Sequence, residues 1–405
     1  MLNLNESFNC DCGKTHSIDT EILYSKGCLD NIVLLLKKYY GISRIAIVYD
    51  TAVTEIAQKT LEILVKNGFD ISEICYKKLV NPTKADSERL LNLDENVRFF
   101  VGIGGGSIAT IVRYASFIRG NDYGLIATCP STDSYLDKQS ILENKVVFCK
   151  YPKFLIADAN IYATSPEYLI ASGIGVVYNA YLSLFLLEYK KAIYRKNYCL
   201  TVANDVKRLL DNFTNNYEKT NNQSEYLMNT LLKLSLARSY LGNFDSSAGE
   251  LCYLLSKSDT TRFYGENLFL ATYVLVDLYI SFLEGYSIDT LIPADYVKGL
   301  KLLNLKLGEN YSYSKDKFVE YKEENITAIG YLIKEYKADF LKTLKAIDSE
   351  KYAKIFRRCY FDAGFWLGGY IKATDLLSVT SLAGLISDNS LYSFMKKTGF
   401  LEEML

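Results

Sequence analysis

The sequence predicts two domains of different class: an α/β domain on a mainly parallel sheet over residues 1–160, then an all-α domain over residues 161–405. Three observations carry this. Strand-like and helix-like stretches alternate between residues 41 and 158, which implies parallel strands covered on both faces. The run Phe99-Phe-Val-Gly-Ile-Gly-Gly-Gly-Ser107 joins a buried strand to a helix through three glycines. From Ser165-Pro166-Glu167 onward, long apolar helical patterns follow one another with almost no strand.

Taken in order, residues 1–40 open with Cys10-Asp-Cys-Gly-Lys-Thr-His16, and Gly27 and Cys28 precede a helical pattern through Leu29, Ile32, Leu35 and Leu36. Ile45–Tyr49 reads as a strand ending at Asp50. Thr54–Asn67 has helical spacing and stops at Gly68. A second strand is expected over Ile71–Tyr76, a helix over Asp86–Leu93, a third strand over Phe99–Ile103 and a fourth over Gly124–Thr128. From Ser107 the apolar members Ile108, Ile111, Val112, Ala115 and Phe117 describe the helix after the glycines. Val146–Cys149 and Phe154–Ala157 read as a small antiparallel addition. Ser165 as N-cap with Pro166 in the first turn starts the helical half. Its expected helices are Pro166–Lys191, Cys199–Asn212, Ser224–Tyr240, Ser247–Ser256, Gly265–Gly285, Pro293–Leu307, Lys315–Ile347, Lys351–Leu367 and Ser390–Thr398.

Composition excludes several function classes. The 405 residues hold 46 basic and 47 acidic side chains, so there is no basic footprint for nucleic acid and no polybasic membrane patch. No run reads as approaching the 18 or more apolar residues of a membrane span, and Met1-Leu-Asn-Leu-Asn-Glu lacks a secretory pattern, so a cytoplasmic protein is expected. The nine scattered cysteines then read as reduced and mostly buried. The 34 tyrosines and 5 prolines point to compositional drift rather than function.

Two stretches carry candidate chemistry. Strand, glycine turn and helix bring backbone N–H groups and a helix N-terminus up to a phosphate. Gly104, Gly105, Gly106 and Ser107 therefore form a candidate phosphate or dinucleotide loop, although they are not the Gly-x-Gly-x-x-Gly fingerprint. On a parallel sheet, ligands lie at the carboxyl ends of strands, which puts Asp50, Gly104–Ser107 and the Thr128–Asp133 loop on one rim. The second stretch is Cys10, Cys12 and His16, three candidate zinc ligands. Cys-x-Cys is tighter than the usual gap of two to four and no fourth ligand is evident, so a strand-turn is expected there and no metal. His16 is the only histidine.

With these residues in view, the chain resembles the glycerol-1-phosphate dehydrogenase branch of the iron-containing alcohol dehydrogenase and dehydroquinate synthase superfamily. The resemblance rests on Cys10–His16, Gly104–Ser107, Pro130-Ser-Thr-Asp133, Lys153–Asp158 running on to Ser172-Gly-Ile-Gly175, and Phe263-Tyr-Gly-Glu266. Leu391–Leu401 looks like the closing helix of the glycerol-phosphate branch. It implies an N-terminal nucleotide-binding domain and a dehydroquinate synthase-like helical domain. It also implies NAD or NADP as cofactor, bound at Asp50, Gly104, Gly105, Gly106, Ser107 and Thr128. A carboxylate at Asp50 would accept ribose hydroxyls and repel a 2′-phosphate, which favours NAD. Asp133 matches the family's substrate-facing aspartate. Two positions depart, since Thr110 and Arg113 stand where the family has Asp and Lys.

The family holds its metal with one Asp and two His, and the aligned positions here are Val176, Leu251 and Tyr264. No metal of the family type is expected, and that removes the Lewis acid which lowers the pKa of the substrate hydroxyl. Tyr264 is the candidate general acid in its place, and Lys138, Arg238, Lys257 and Arg262 are candidates to hold a phosphate. Three readings stay open. The first is an NAD(P)-dependent oxidoreductase of glycerol phosphate or a related polyol or sugar phosphate, working through Asp133 and Tyr264, with room for a homodimer. The second is a catalytically silent homologue that binds a nucleotide or sugar phosphate. The third is a sugar-phosphate cyclase or lyase.

Overall fold

The computed structural model describes residues 2–41, 44–77, 82–142, 145–242, 244–258, 262–285, 323–359, 376, 379–380 and 390–401. Two compact units divide the chain: Met1–Val177 with Cys199–Asn243, and Tyr178–Tyr198 with Phe244–Leu405.

The first unit opens with a hairpin of two-residue strands, β1 (Phe8–Asn9) and β2 (Thr15–His16). Six strands then build an all-parallel sheet: β3 (Glu21–Ser25), β4 (Arg44–Asp50), β5 (Asp70–Tyr76), β6 (Phe99–Gly104), β7 (Asp122–Ala127) and, after a gap in the order, β10 (Phe154–Asp158). Between β7 and β10 the antiparallel pair β8 (Gln139–Leu142) and β9 (Lys145–Phe148) forms its own small sheet. Spatial order in the main sheet is β3-β10-β7-β6-β4-β5. The chain lays β5 on one side of β4 and returns to lay β6 on the other, so strand order reverses between β4 and β6. Ligands of open α/β sheets bind outside that point, at the strands' carboxyl ends.

Burial explains why these strands are parallel. All six residues of β6 and all five of β10 are buried, as expected of strands covered on both faces. On one face Ile45, Ile47, Tyr49, Phe99, Val101 and Ile103 share a core with α1 (Ile32–Tyr39) and α2 (Thr54–Lys66). The Phe154 ring stacks on Phe99 at 5.9 Å and lies over Gly124, where a Cβ would come within 2.2 Å of it. One expectation is corrected here. Phe154–Ala157 is not part of an antiparallel addition but a parallel strand between β7 and β3, because an unbroken apolar run carries no period that reports its neighbours. The antiparallel addition is β8 with β9.

The remaining helices of the first unit are α3 (Lys84–Leu91), α4 (Gly106–Arg119), α5 (Ala159–Tyr162), the start of α6 (Glu167–Tyr194), α7 (Leu200–Asn216) and α8 (Gln223–Leu241). Secondary structure changes character near residue 160, whereas packing groups α7 and α8 with the α/β sheet. The second unit takes the rest of α6 with α9 (Ala248–Ser258), α10 (Tyr264–Gly285), α11 (Glu323–Lys345), α12 (Ser349–Cys359) and α13 (Leu391–Lys397). Aromatic packing holds it: Phe269 stacks on Phe356 at 4.0 Å, and the Tyr178 hydroxyl donates to Ser349 Oγ at 2.7 Å. Many of the tyrosines thus have a packing role. The expected helix Pro293–Leu307 lies outside the described residues, as do the start of Lys315–Ile347 and the end of Lys351–Leu367.

Two helices correct the reading of hydrophobic runs. α6 and α10 contain 18-residue windows of mean hydropathy 1.7 and 1.5, long and apolar enough to cross a membrane by length and composition. Those windows are 78% and 61% buried, and a helix that is apolar all round is what a protein core requires.

Candidate functional site

At the reversal point three expected residues come together. Asp50 ends β4, Gly104 ends β6, and Thr128 follows β7, donating its backbone N–H to the Gly104 carbonyl at 3.3 Å. Gly105 is the N-cap of the 14-residue helix α4 and makes no side-chain cap bond. A helix start favours an anion through its dipole and its backbone N–H groups.

The glycines have a packing role as well. None of Gly104, Gly105 and Gly106 has a positive φ. A Cβ on Gly104 would lie 2.8 Å from Ile108, one on Gly105 3.2 Å from Cys129 Sγ, and one on Gly106 3.3 Å from Thr132. The loop after β7 therefore lies directly against the glycine turn. Burial pushes the Cys129 thiol above its usual range, so it is a neutral filler and not a nucleophile. Asp50 Oδ1 accepts from the Ala52 N–H at 3.0 Å and caps a short 3₁₀ turn.

Beyond Thr128 the loop is pinned from two sides. Arg113 on α4 is buried, and its guanidinium donates to the Tyr123 hydroxyl at 3.1 Å, to the Gln139 carbonyl at 3.0 Å and to the Ser134 carbonyl. The arginine that replaces the family's lysine is thus a loop brace. Thr110 offers its carbonyl to Ser140 Oγ at 3.0 Å. From α8, Ser235 Oγ accepts the Leu136 N–H at 3.0 Å, and Arg238 donates to Asp133 Oδ2 through Nη2 at 2.9 Å and through Nε at 3.3 Å. Both partners are largely buried, and Asp133 Oδ1 carries no hydrogen bond among the described residues. Gly173 of α6 closes the arrangement. A Cβ there would lie 2.0 Å from the Pro130 carbonyl oxygen, while Ser172 Oγ donates to the Ser131 carbonyl at 3.2 Å. Pro130–Asp133 and Ser172-Gly173, distant in sequence, are therefore one packed contact.

The other phosphate candidates face different work. Arg262 is buried with Nη1 3.4 Å from Asn267 Oδ1, Lys257 lies over the Tyr253 ring at 5.1 Å, and Lys138 lies over Tyr151 at 5.9 Å. Tyr264, the first residue of α10, is 51% exposed. Glu266 accepts the Phe263 N–H at 3.0 Å, a helix-start cap. Leu251 is fully buried and Val176 nearly so, and neither has a donor atom. The donor set at these three positions does not fit the family's metal.

A metal-ligand set does occur elsewhere. Cys10, Cys12, His16 and Cys199 bring their ligand atoms within 4.8 Å of one another, the only such group of His, Cys, Asp or Glu among the described residues. Cys10 Sγ and Cys199 Sγ are 3.4 Å apart, and Cys12 Sγ and His16 Nε2 are also 3.4 Å apart. The strand-turn expected at residues 10–16 is present as the β1–β2 hairpin, but the fourth residue, Cys199, went unrecognised in the sequence. No local signal points to it, because 189 residues separate it from Cys10.

A doubly wound parallel sheet with a glycine turn at its switch point defines the class: an open α/β unit, in a chain that also has a helical unit. The comparisons sharpen this. Residues 24–166 match the family model for iron-containing alcohol dehydrogenase. Glycerol-1-phosphate dehydrogenase [NAD(P)+] of Pyrococcus furiosus is 24% identical over 161 residues, which covers 39% of this chain and 46% of that enzyme. The enzyme of the same name from Saccharolobus islandicus is 32% identical over 126 residues, 30% of this chain and 35% of its own. The chain thus aligns with less than half the length of these relatives. Among solved structures, maleylacetate reductase from Rhizobium sp. has a TM-score of 0.59 at 14% identity, covering 96% of this chain and 97% of that one. Residues 24–166 thus carry a sequence likeness to the iron-containing alcohol dehydrogenases, and the chain shares the fold of the solved structure compared.

Proposed function

We propose that this protein is an NAD(P)-dependent oxidoreductase acting on glycerol phosphate or a related phosphorylated polyol, without the metal its relatives' family name implies. The observation that carries the reading is the glycine start of α4 at the β4–β6 reversal, flanked by Asp50 and Thr128. Gly104–Ser107 would receive the diphosphate and Asp50 the adenosine ribose, with NAD favoured over NADP. Bound there, the nicotinamide supplies hydride transfer. Asp133 Oδ1 would accept a substrate hydroxyl, while Arg238 on Oδ2 holds the carboxylate in place.

The test is a thermal titration of the full chain with NAD and NADP, since a ligand of the native state raises the melting temperature by mass action. NAD should stabilise clearly more than NADP. Turnover of a polyol phosphate in EDTA should then fall on the order of 10²-fold or more in Asp133→Asn. A second reading rests on Val176 and Leu251, which offer no Lewis acid: a nucleotide-binding homologue without turnover. It would lead if NAD stabilised the chain and no polyol were oxidised.

A further inference from the structure

We propose that Cys10, Cys12, His16 and Cys199 form a closed structural zinc site that clasps the N-terminal hairpin to the start of α7. The argument begins with geometry. Zinc–sulfur bonds of about 2.3 Å and zinc–nitrogen bonds of about 2.0–2.1 Å set tetrahedral edges of roughly 3.5–3.8 Å. The Cys10–Cys199 and Cys12–His16 edges, at 3.4 Å each, are close to that, and every other pair lies within 4.8 Å. Three thiols and one imidazole form the soft donor set that selects zinc among abundant divalent ions. Four protein ligands leave no open position, so the role is structural and not catalytic.

The surroundings are built to present these four atoms. The Cys10 N–H donates to the Lys14 carbonyl at 3.0 Å, and Gly13, at φ 80°, turns the chain so that Cys10 and Cys12 face the same way as His16. The His16 ring is held between Phe8 at 5.1 Å and Tyr240 of α8 at 5.0 Å. Cys199 is the N-cap residue of α7, and its sulfur faces Cys10 Sγ at 3.4 Å. His16 and Cys199 are buried while Cys12 is exposed, so an ion has a way in. Strands of two residues cannot hold a hairpin by themselves, and the described cysteines are free thiols. A metal supplies the missing link.

The experiment uses the full chain, purified reduced and without chelator. Elemental analysis should find about one zinc per chain. Cobalt in its place should give the intense visible absorption of a tetrahedral thiolate centre. Cys199→Ser should lose both signals, and Cys149→Ser, a thiol outside the cluster, should keep them. X-ray absorption of the zinc-loaded native chain needs no variant, and should report three sulfur neighbours and one nitrogen. Three results would overturn the proposal: a reduced chain that takes up no zinc, a Cys199→Ser protein with undiminished zinc, or a metal-free chain carrying a Cys10–Cys199 disulfide.

Discussion

The switch-point rim and the thiol clasp, both in the first unit, are made of opposite materials. The rim is an anion site built from backbone: glycine N–H groups, a helix dipole and strand ends, with side chains mainly bracing it. The clasp is a cation site built entirely from side chains, three sulfurs and a ring nitrogen. A backbone site tolerates most side-chain changes but fails when something steric displaces the backbone. A side-chain site is indifferent to small backbone shifts and fails when one ligand goes.

The largest expected effect tests that contrast directly. Gly173→Ala would drive a Cβ to 2.0 Å from the Pro130 carbonyl oxygen, and main chain has to move. Overpacking of this kind costs about 3 kcal/mol. Because the displaced loop lies against Gly105 and Gly106, NAD stabilisation should weaken too, while zinc per chain stays unchanged. Denaturant melts with and without NAD, alongside elemental analysis, give both readings. Loss of zinc as well would mean the two regions are not independent. Asp50→Ala sharpens the rim further. Losing the cap on Ala52 costs about 0.5–1 kcal/mol. The preference for NAD over NADP should fall roughly tenfold, about 1.4 kcal/mol, in paired binding titrations.

The smallest effect is a pH dependence. Asp137 is buried, and burial raises its pKa despite Arg113 and Arg238, with Asp133 adding to the rise. A raised carboxyl pKa favours the neutral form in the folded state. Stability from this group is fully present below the ordinary aspartate pKa and declines as pH rises through the folded value. Asp137→Asn keeps an acceptor for the Gln139 N–H, which Oδ1 takes at 2.9 Å. It should therefore stabilise at pH 7 by about 0.5–1 kcal/mol and do nothing near pH 3. A gain that persisted in acid would show that some other contact is responsible.

How much the sequence reveals follows the same division. β4 and β6 were readable because buried parallel strands are dense in Val, Ile and Phe, and the rim residues Asp50 and Gly104 lie where those strands stop. Cys10, Cys12 and His16 were visible as a motif, but Cys199 was not, since nothing local distinguishes a cysteine before a helix. Arg238 was one basic residue among several until α8 set it beside Asp133. β3 escaped notice as a half-exposed edge strand, and β10 was misplaced because its pairing depends on partners at both ends of the unit.

That pairing of β3 with β10 bears on how the chain is made. Residues Glu21–Ser25 leave the ribosome early, yet their partner is Phe154–Asp158, and the Asp158 carboxylate also accepts the Gly27 and Leu29 N–H groups at 2.9 Å each. Residues 21–29 of a nascent chain thus lack this partner until the last strand of the sheet has been made. The thiols of Cys10 and Cys12 wait longer still, for Cys199. This segment is synthesised before the strand and the cysteine that hold it, and is secured only after them.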